Sequence, residues 1–131
     1  MRKMLLSSIF VLCAAIAAKA QIAQSLVLYP SPTAMNSMLN VQYNLYNNTP
    51  NPITTVQTSA KINNVFKGVI NTQTLATPLL PGQTVPVNFA ISVIPADFAL
   101  GTNIIIVFPT GDVFNNPEEG AGSSAYITPA Q

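Results

Sequence analysis

Histidine and tryptophan are absent from all 131 residues, cysteine occurs once, and charged residues make up only 7% of the chain. Each shortage closes off a class of function. Nucleophilic catalysis needs a base beside the nucleophile. Without histidine the Ser-His and Cys-His pairs cannot form. A Ser-Lys pair would have to draw on Lys61 or Lys67, which lie in strand-like sequence with no serine motif nearby. Zinc loses its usual His and Cys ligands, and no phosphate loop or dinucleotide fingerprint is present. Two carboxylates can hydrolyse a glycoside when they flank the sugar. Glu118 and Glu119, however, are neighbours in a Pro/Gly loop, a poor way to hold two side chains across a ring. These absences predict a non-enzyme that carries no cofactor.

The single cysteine, Cys13, falls in a segment expected to be removed. Residues 1–20 combine a basic start, Met1-Arg2-Lys3, an apolar run, and the small-x-small site Ala18-Lys19-Ala20. That is the anatomy of a secretory signal peptide, with Gln21 as the new N-terminus. A retained anchor would need about 20 apolar residues, and Lys19 interrupts the run. Lipidation of Cys13 is not expected either, because Val11-Leu12 stand where a lipoprotein site has a small residue. The mature chain then has no cysteine and no disulfide staple. It is expected to be exported, to the periplasm, the cell surface or the medium, with no membrane span.

Removing 20 of 131 residues leaves 111, a single domain spanning 21–131 that is large enough to bury its own core. Two cations, Lys61 and Lys67, face four anions, Asp97, Asp112, Glu118 and Glu119, for a net charge of −2. No basic patch exists for nucleic acid or anionic lipid. Six charged residues in 111 is far below the roughly 25% of an average domain. The polar surface must therefore be built from Asn, Gln, Ser and Thr, and little repulsion keeps molecules apart.

What is present is alternation. In "MLNVQYNLYNN", Leu39, Val41, Tyr43 and Leu45 alternate with Asn40, Gln42 and Asn44, which predicts a half-buried strand. In "TVPVNFAISVI", Val85, Val87, Phe89, Ile91 and Val93 share one parity. Pro86 places the start of that strand at an edge or bulge. "ITTVQTSAKI" supplies Val56, Ala60 and Ile62 to one face. "SLVLY", "VFKGVI", "TNIIIVF" and "SAYIT" are further strands, and "PADFAL" fits one helical turn. Eleven prolines, all after residue 20, punctuate the strand ends. Short strands at regular spacing predict an all-β fold, an immunoglobulin-like antiparallel β-sandwich of about seven strands.

Three segments carry a resemblance: "VQYNLYNNTPNPITTVQTSAKIN", "LLPGQTVPVNFAI" and "LGTNIIIVFPTGD". A strand ends in an Asn-rich turn, the next closes on Ile-Asn, a Leu-x-Pro-Gly-x-Thr turn opens a long alternating strand, and a Gly precedes a late apolar strand. Over residues 38–112 this resembles the CARDB-type, cell-adhesion-related domains of bacterial surface proteins. The resemblance implies a seven-strand sandwich in an exported protein that acts by contact, with no catalytic residues. The segment "LVLYPSPTAMNSMLNVQYNL" also resembles the opening of type IX secretion sorting domains, which points to a Bacteroidetes host. The late Gly-x-Tyr strand and basic last strand of that family are missing here.

Asp112, Asn115, Glu118 and Glu119 offer calcium the oxygen ligands it prefers, but their spacing is not that of an EF-hand, so a solvated turn competes with a weak calcium site. Tyr29, Tyr43, Tyr46 and Tyr126 could stack on sugars. Tyr43 shares the core parity, whereas Tyr46 lies on the opposite one and is the ligand candidate. Asn47-Asn48-Thr49 matches a glycosylation acceptor, but Pro50 follows it, and the stretch reads as a turn. The run Ile104 to Phe108 does not alternate. With Ile104, Ile106 and Phe108 assigned to the core, Ile105 and Val107 face outward and need cover, from "QIAQSLVLYP" or from a partner. The expected function is structural or adhesive, through a protein partner or self-association; a small glycan- or calcium-binding module is the alternative.

Overall fold

The computed structural model describes residues 20–109 and 120–131, so the predicted leader and the loop holding Asp112, Asn115, Glu118 and Glu119 lie outside the described residues. Eight strands are found among those residues: β1 (Ala20–Tyr29), β2 (Thr33–Ala34), β3 (Met38–Asn48), β4 (Ile53–Ile62), β5 (Val65–Leu79), β6 (Thr84–Ser92), β7 (Gly101–Pro109) and β8 (Ala121–Thr128). They form two sheets, β1-β3-β6 and β2-β8-β7-β4-β5. All pairings are antiparallel except the short β2–β8 contact. The strand beyond the expected seven is the two-residue β2.

The core lies between the sheets. β3 supplies Leu39, Val41, Tyr43 and Leu45, all buried, on the parity the alternation predicts. Val87 and Val93 from the β6 side and Val56, Ala60 and Ile62 from β4 join them. Burying each large aliphatic side chain contributes about 1.5–3 kcal/mol. The Tyr43 hydroxyl meets Thr58 Oγ1 at 2.6 Å, a hydrogen bond that joins β3 of one sheet to β4 of the other. Pro86 lies in β6, which among the described residues is an edge strand paired with β3 alone, a position that tolerates its missing N–H. Between β6 and β7, the Phe98 N–H donates to Ile94 O at 2.9 Å, closing the single helical turn that the sequence predicts and burying Phe98.

β1 keeps its core face through a bulge. Gln24 pairs with Asn44, but Val27 pairs with Gln42, so one extra residue is inserted. Ser25 takes a left-handed conformation there (φ 58). Ala23 is buried before the bulge and Leu26 and Leu28 after it, on the opposite parity. The bulge thus re-phases the strand without turning its apolar residues outward.

The parity assigned to β7 from sequence is reversed in the structure. Ile105 and Val107 are fully buried and Ile104 is 58% exposed. The register explains this. Ile105 pairs with Ile62 and Val107 with Ala60, and these β4 residues belong to the core face. Residues paired across a ladder share a face, so β4 sets the phase of a run that has none of its own. Phe108 is outward by parity, opposite Ser59, yet buried, and the Gly120 backbone lies against its ring. A Cβ on Gly120 would come within 2.7 Å of Phe108 Cε1. Ile105 and Val107 therefore pack in this chain's own core and do not face outward, contrary to the expectation from sequence. β1, which holds most of "QIAQSLVLYP", packs from the opposite sheet onto β7 and β8 of its own chain.

Candidate interaction surfaces

Two asparagines close the ends of the sandwich. Asn47, fully buried, donates from Nδ2 to Asn51 O and Leu79 O, each at 2.9 Å. Its Oδ1 accepts from Thr49 N and Thr49 Oγ1, at 3.0 and 2.6 Å. Its side chain is thereby committed to the 48–52 turn, which settles the acceptor-like triplet in favour of the turn. The following Leu80–Gln83 turn has Pro81 and Gly82 (φ 84) at its centre, the chemistry of a type II turn. Asn103, also buried, accepts from Ala99 N and Asn63 Nδ2 and donates to Ala99 O and Gly101 O. Neither lock is visible from local pattern, because both asparagines lie in stretches that read as polar.

The first exposed surface lies on the five-stranded sheet. Among the described residues β5 is an edge strand of this sheet and pairs with β4 alone, with register shifts at three places. The sequence predicts a strand only over 65–70, and the structure extends it to Leu79. Its irregular register hides the period. Val65, Phe66 and Val69 are each at least 40% exposed on this edge. Phe66 pairs with Lys61 and Val69 with Ser59, on the outward parity of β4. Ile104 and Tyr126, diagonal neighbours across β7 and β8, add exposed apolar area to the outer face. Lys67 Nζ holds Asp97 Oδ1 at 2.9 Å, tying the edge to the turn after β6.

The second surface is the outer face of β1-β3-β6. None of these three strands contains a charged residue. Along central β3 the outward positions are Asn40, Gln42, Asn44 and Tyr46, all half-buried. Tyr29 pairs with Asn40, and Asn88 with Gln42. The four tyrosines therefore do not form one platform. Tyr29 and Tyr46 share this face, Tyr126 is on the opposite sheet, and Tyr43 is in the core, where burial pushes its hydroxyl above the usual tyrosine pKa and the Thr58 bond partly offsets the rise. At the end of the sandwich a groove of about 400 Å³ is lined by Gln21, Thr49, Asn51, Pro52, Ile53, Thr54 and Thr55, again without a charge. Gln21 Oε1 is buried there with no hydrogen-bond partner.

Among the described residues no three His, Cys, Asp or Glu residues gather as a metal would require. No helix among them is long and apolar enough to cross a membrane.

No protein-family model matches the chain, and no curated protein matches its sequence. Among solved structures it is similar to a CARDB domain from Pyrococcus furiosus in complex with di-metal ions, with a TM-score of 0.55 and 12% identity over 86% of this chain and 96% of that one. It is also similar to part of a β-glucosidase from Erythrobacter marinus, with a TM-score of 0.58 and 13% identity over 84% of this chain. A third likeness is to part of the alkylpurine DNA glycosylase of Pseudomonas fluorescens, with a TM-score of 0.53 and 13% identity over 85% of this chain. The chain spans 16% of the glucosidase and 31% of the glycosylase. These likenesses show an immunoglobulin-like sandwich, the size of a CARDB domain and one part of each enzyme.

Proposed function

We propose that this chain is a non-catalytic, exported immunoglobulin-like module that works by protein contact and associates with a second copy of itself through the β5 edge. The observation that carries this reading is β5, an edge strand among the described residues, bearing exposed Val65 and Val69. An edge strand offers a row of unpaired backbone groups to another strand, and an exposed apolar cluster marks an interaction surface. Export rests on the leader-like residues 1–20, and the adhesive setting on the CARDB-like turn pattern and fold. The few charges leave little repulsion to oppose contact.

Size-exclusion chromatography with light scattering on residues 21–131 tests this. A concentration-dependent dimer is expected, insensitive to salt because apolar contacts and backbone bonds hold it. Phe66→Lys and Val69→Lys should each return it to monomer while leaving the melting temperature within a few degrees. A wild type that stays monomeric at every concentration would sink the proposal.

A further inference from the structure

The strands β1, β3 and β6 carry no charged residue from end to end, so the polar side chains on their outer face are amides and hydroxyls. We infer that this face is a binding platform for an extended, uncharged polysaccharide. Its central row, Asn40, Gln42 and Asn44, is made of primary amides, with Asn88 beside Gln42 on β6. An amide presents both donors and an acceptor, and a sugar hydroxyl does the same, so each can pair with the other in either sense. A nucleic acid or an anionic lipid would need cations that this face lacks.

The tyrosines set the shape of the ligand. Tyr29 pairs with Asn40, and Tyr46 stands six residues further along β3. At 3.3–3.4 Å per residue the two positions are about 20 Å apart along the strand. Each offers an apolar ring with a polar tip, on which the C–H face of a sugar can pack. Two such rings with amides between them match a chain of sugars rather than one. Because β3 is the central strand, hydrogen-bonded on both sides, the row is held in place before any ligand arrives, and little ordering entropy is lost on binding. A second protein is the poorer occupant. Protein interfaces concentrate apolar and aromatic residues at their centre and polar ones at the rim, and here the amides are central. The uncharged groove at Gln21 and Thr49 lies one residue beyond Ile22 and three beyond Tyr46 on the paired strands β1 and β3, so the neutral character continues past that end.

Affinity electrophoresis of residues 21–131 reads this directly, in gels containing hydroxyethyl cellulose, laminarin or galactomannan, with anionic polygalacturonate as control. Retardation in at least one neutral gel and none in polygalacturonate is expected. Tyr46→Ala and Gln42→Ala should each weaken it by roughly five- to tenfold, the range of one lost contact. Thermal melting of both variants within a few degrees of wild type shows that the fold is retained. The Thr102→Ala variant, altered on the exposed face of the opposite sheet, should bind as wild type does. No retardation in any neutral gel overturns the inference. So does retardation that both substitutions leave unchanged, and so does loss of self-association, rather than of retardation, on Gln42→Ala.

Discussion

The hydroxyl of Tyr43 is an ionisable group sealed within the core, and its partner Thr58 is equally buried. Replacing either residue alone leaves the other polar group without its bond. Tyr43→Phe and Thr58→Val should each cost about 1–3 kcal/mol in urea denaturation, and the double variant less than their sum, because no orphaned group remains. The same residue sets an alkaline limit. Its pKa is raised in the folded chain, so above the ordinary tyrosine value of 10.0 the unfolded chain loses a proton that the folded chain keeps. Stability therefore falls as pH rises past that value, by up to about 1.4 kcal/mol per pH unit, until the folded group also ionises. Below it, Tyr43 contributes no pH dependence. The melting curve of Tyr43→Phe should decline less steeply between pH 10 and 11 than that of wild type.

At the scale of elements, the tight hairpin between β4 and β5 fixes more than one connection. Asn63 and Asn64 both have positive φ, at 51° and 68°, as a two-residue type I′ turn requires. Asn63 also accepts the Ile104 N–H at 2.9 Å and donates to Asn103, so the turn anchors the start of β7. Asn63→Ala should lose about 2–3 kcal/mol, from those bonds and from a left-handed backbone that alanine resists. Asn64→Gly should gain a few tenths to about 1 kcal/mol, since glycine adopts that conformation without a Cβ penalty. Chemical denaturation of the two variants should move the midpoint in opposite directions. The Ile-Asn ending of β4 was visible as part of the CARDB-like resemblance, but its role as a turn was not, because Asn-Asn is a weaker signal than Asn-Gly.

At the scale of the whole molecule, two sheets enclose an apolar core, and the charges among the described residues, Lys61, Lys67 and Asp97, lie outside the three strands of the smaller sheet. Lys67 and Asp97 form an ion pair on the flank, with both side chains partly exposed, and an exposed pair of this kind contributes at most about 1 kcal/mol. Stability rests on buried alternating strands, so folding should not depend on a metal. Differential scanning calorimetry of residues 21–131 with and without EDTA should give the same melting temperature. A drop of many degrees in chelator would assign Asp112, Asn115, Glu118 and Glu119 to a structural calcium site.

The parity of β3, β4 and β6, the edge position of Pro86 and the Pro81-Gly82 turn were legible in the sequence, because each is written in neighbouring residues: alternation names the buried face, and Pro and Gly name the bend. Tyr46 was placed on the outer face by the same reasoning. The phase of β7 was not legible. Five consecutive apolar residues have no period to read, and only pairing with Ile62 and Ala60 turns Ile105 and Val107 inward. The bulge at Ser25, the full length of β5 and the Asn47 and Asn103 locks also depend on partners up to tens of residues away. A two-fold repeat fixes every side chain of a strand relative to the others. Where that repeat is blank, which face is buried is decided by the neighbouring strand.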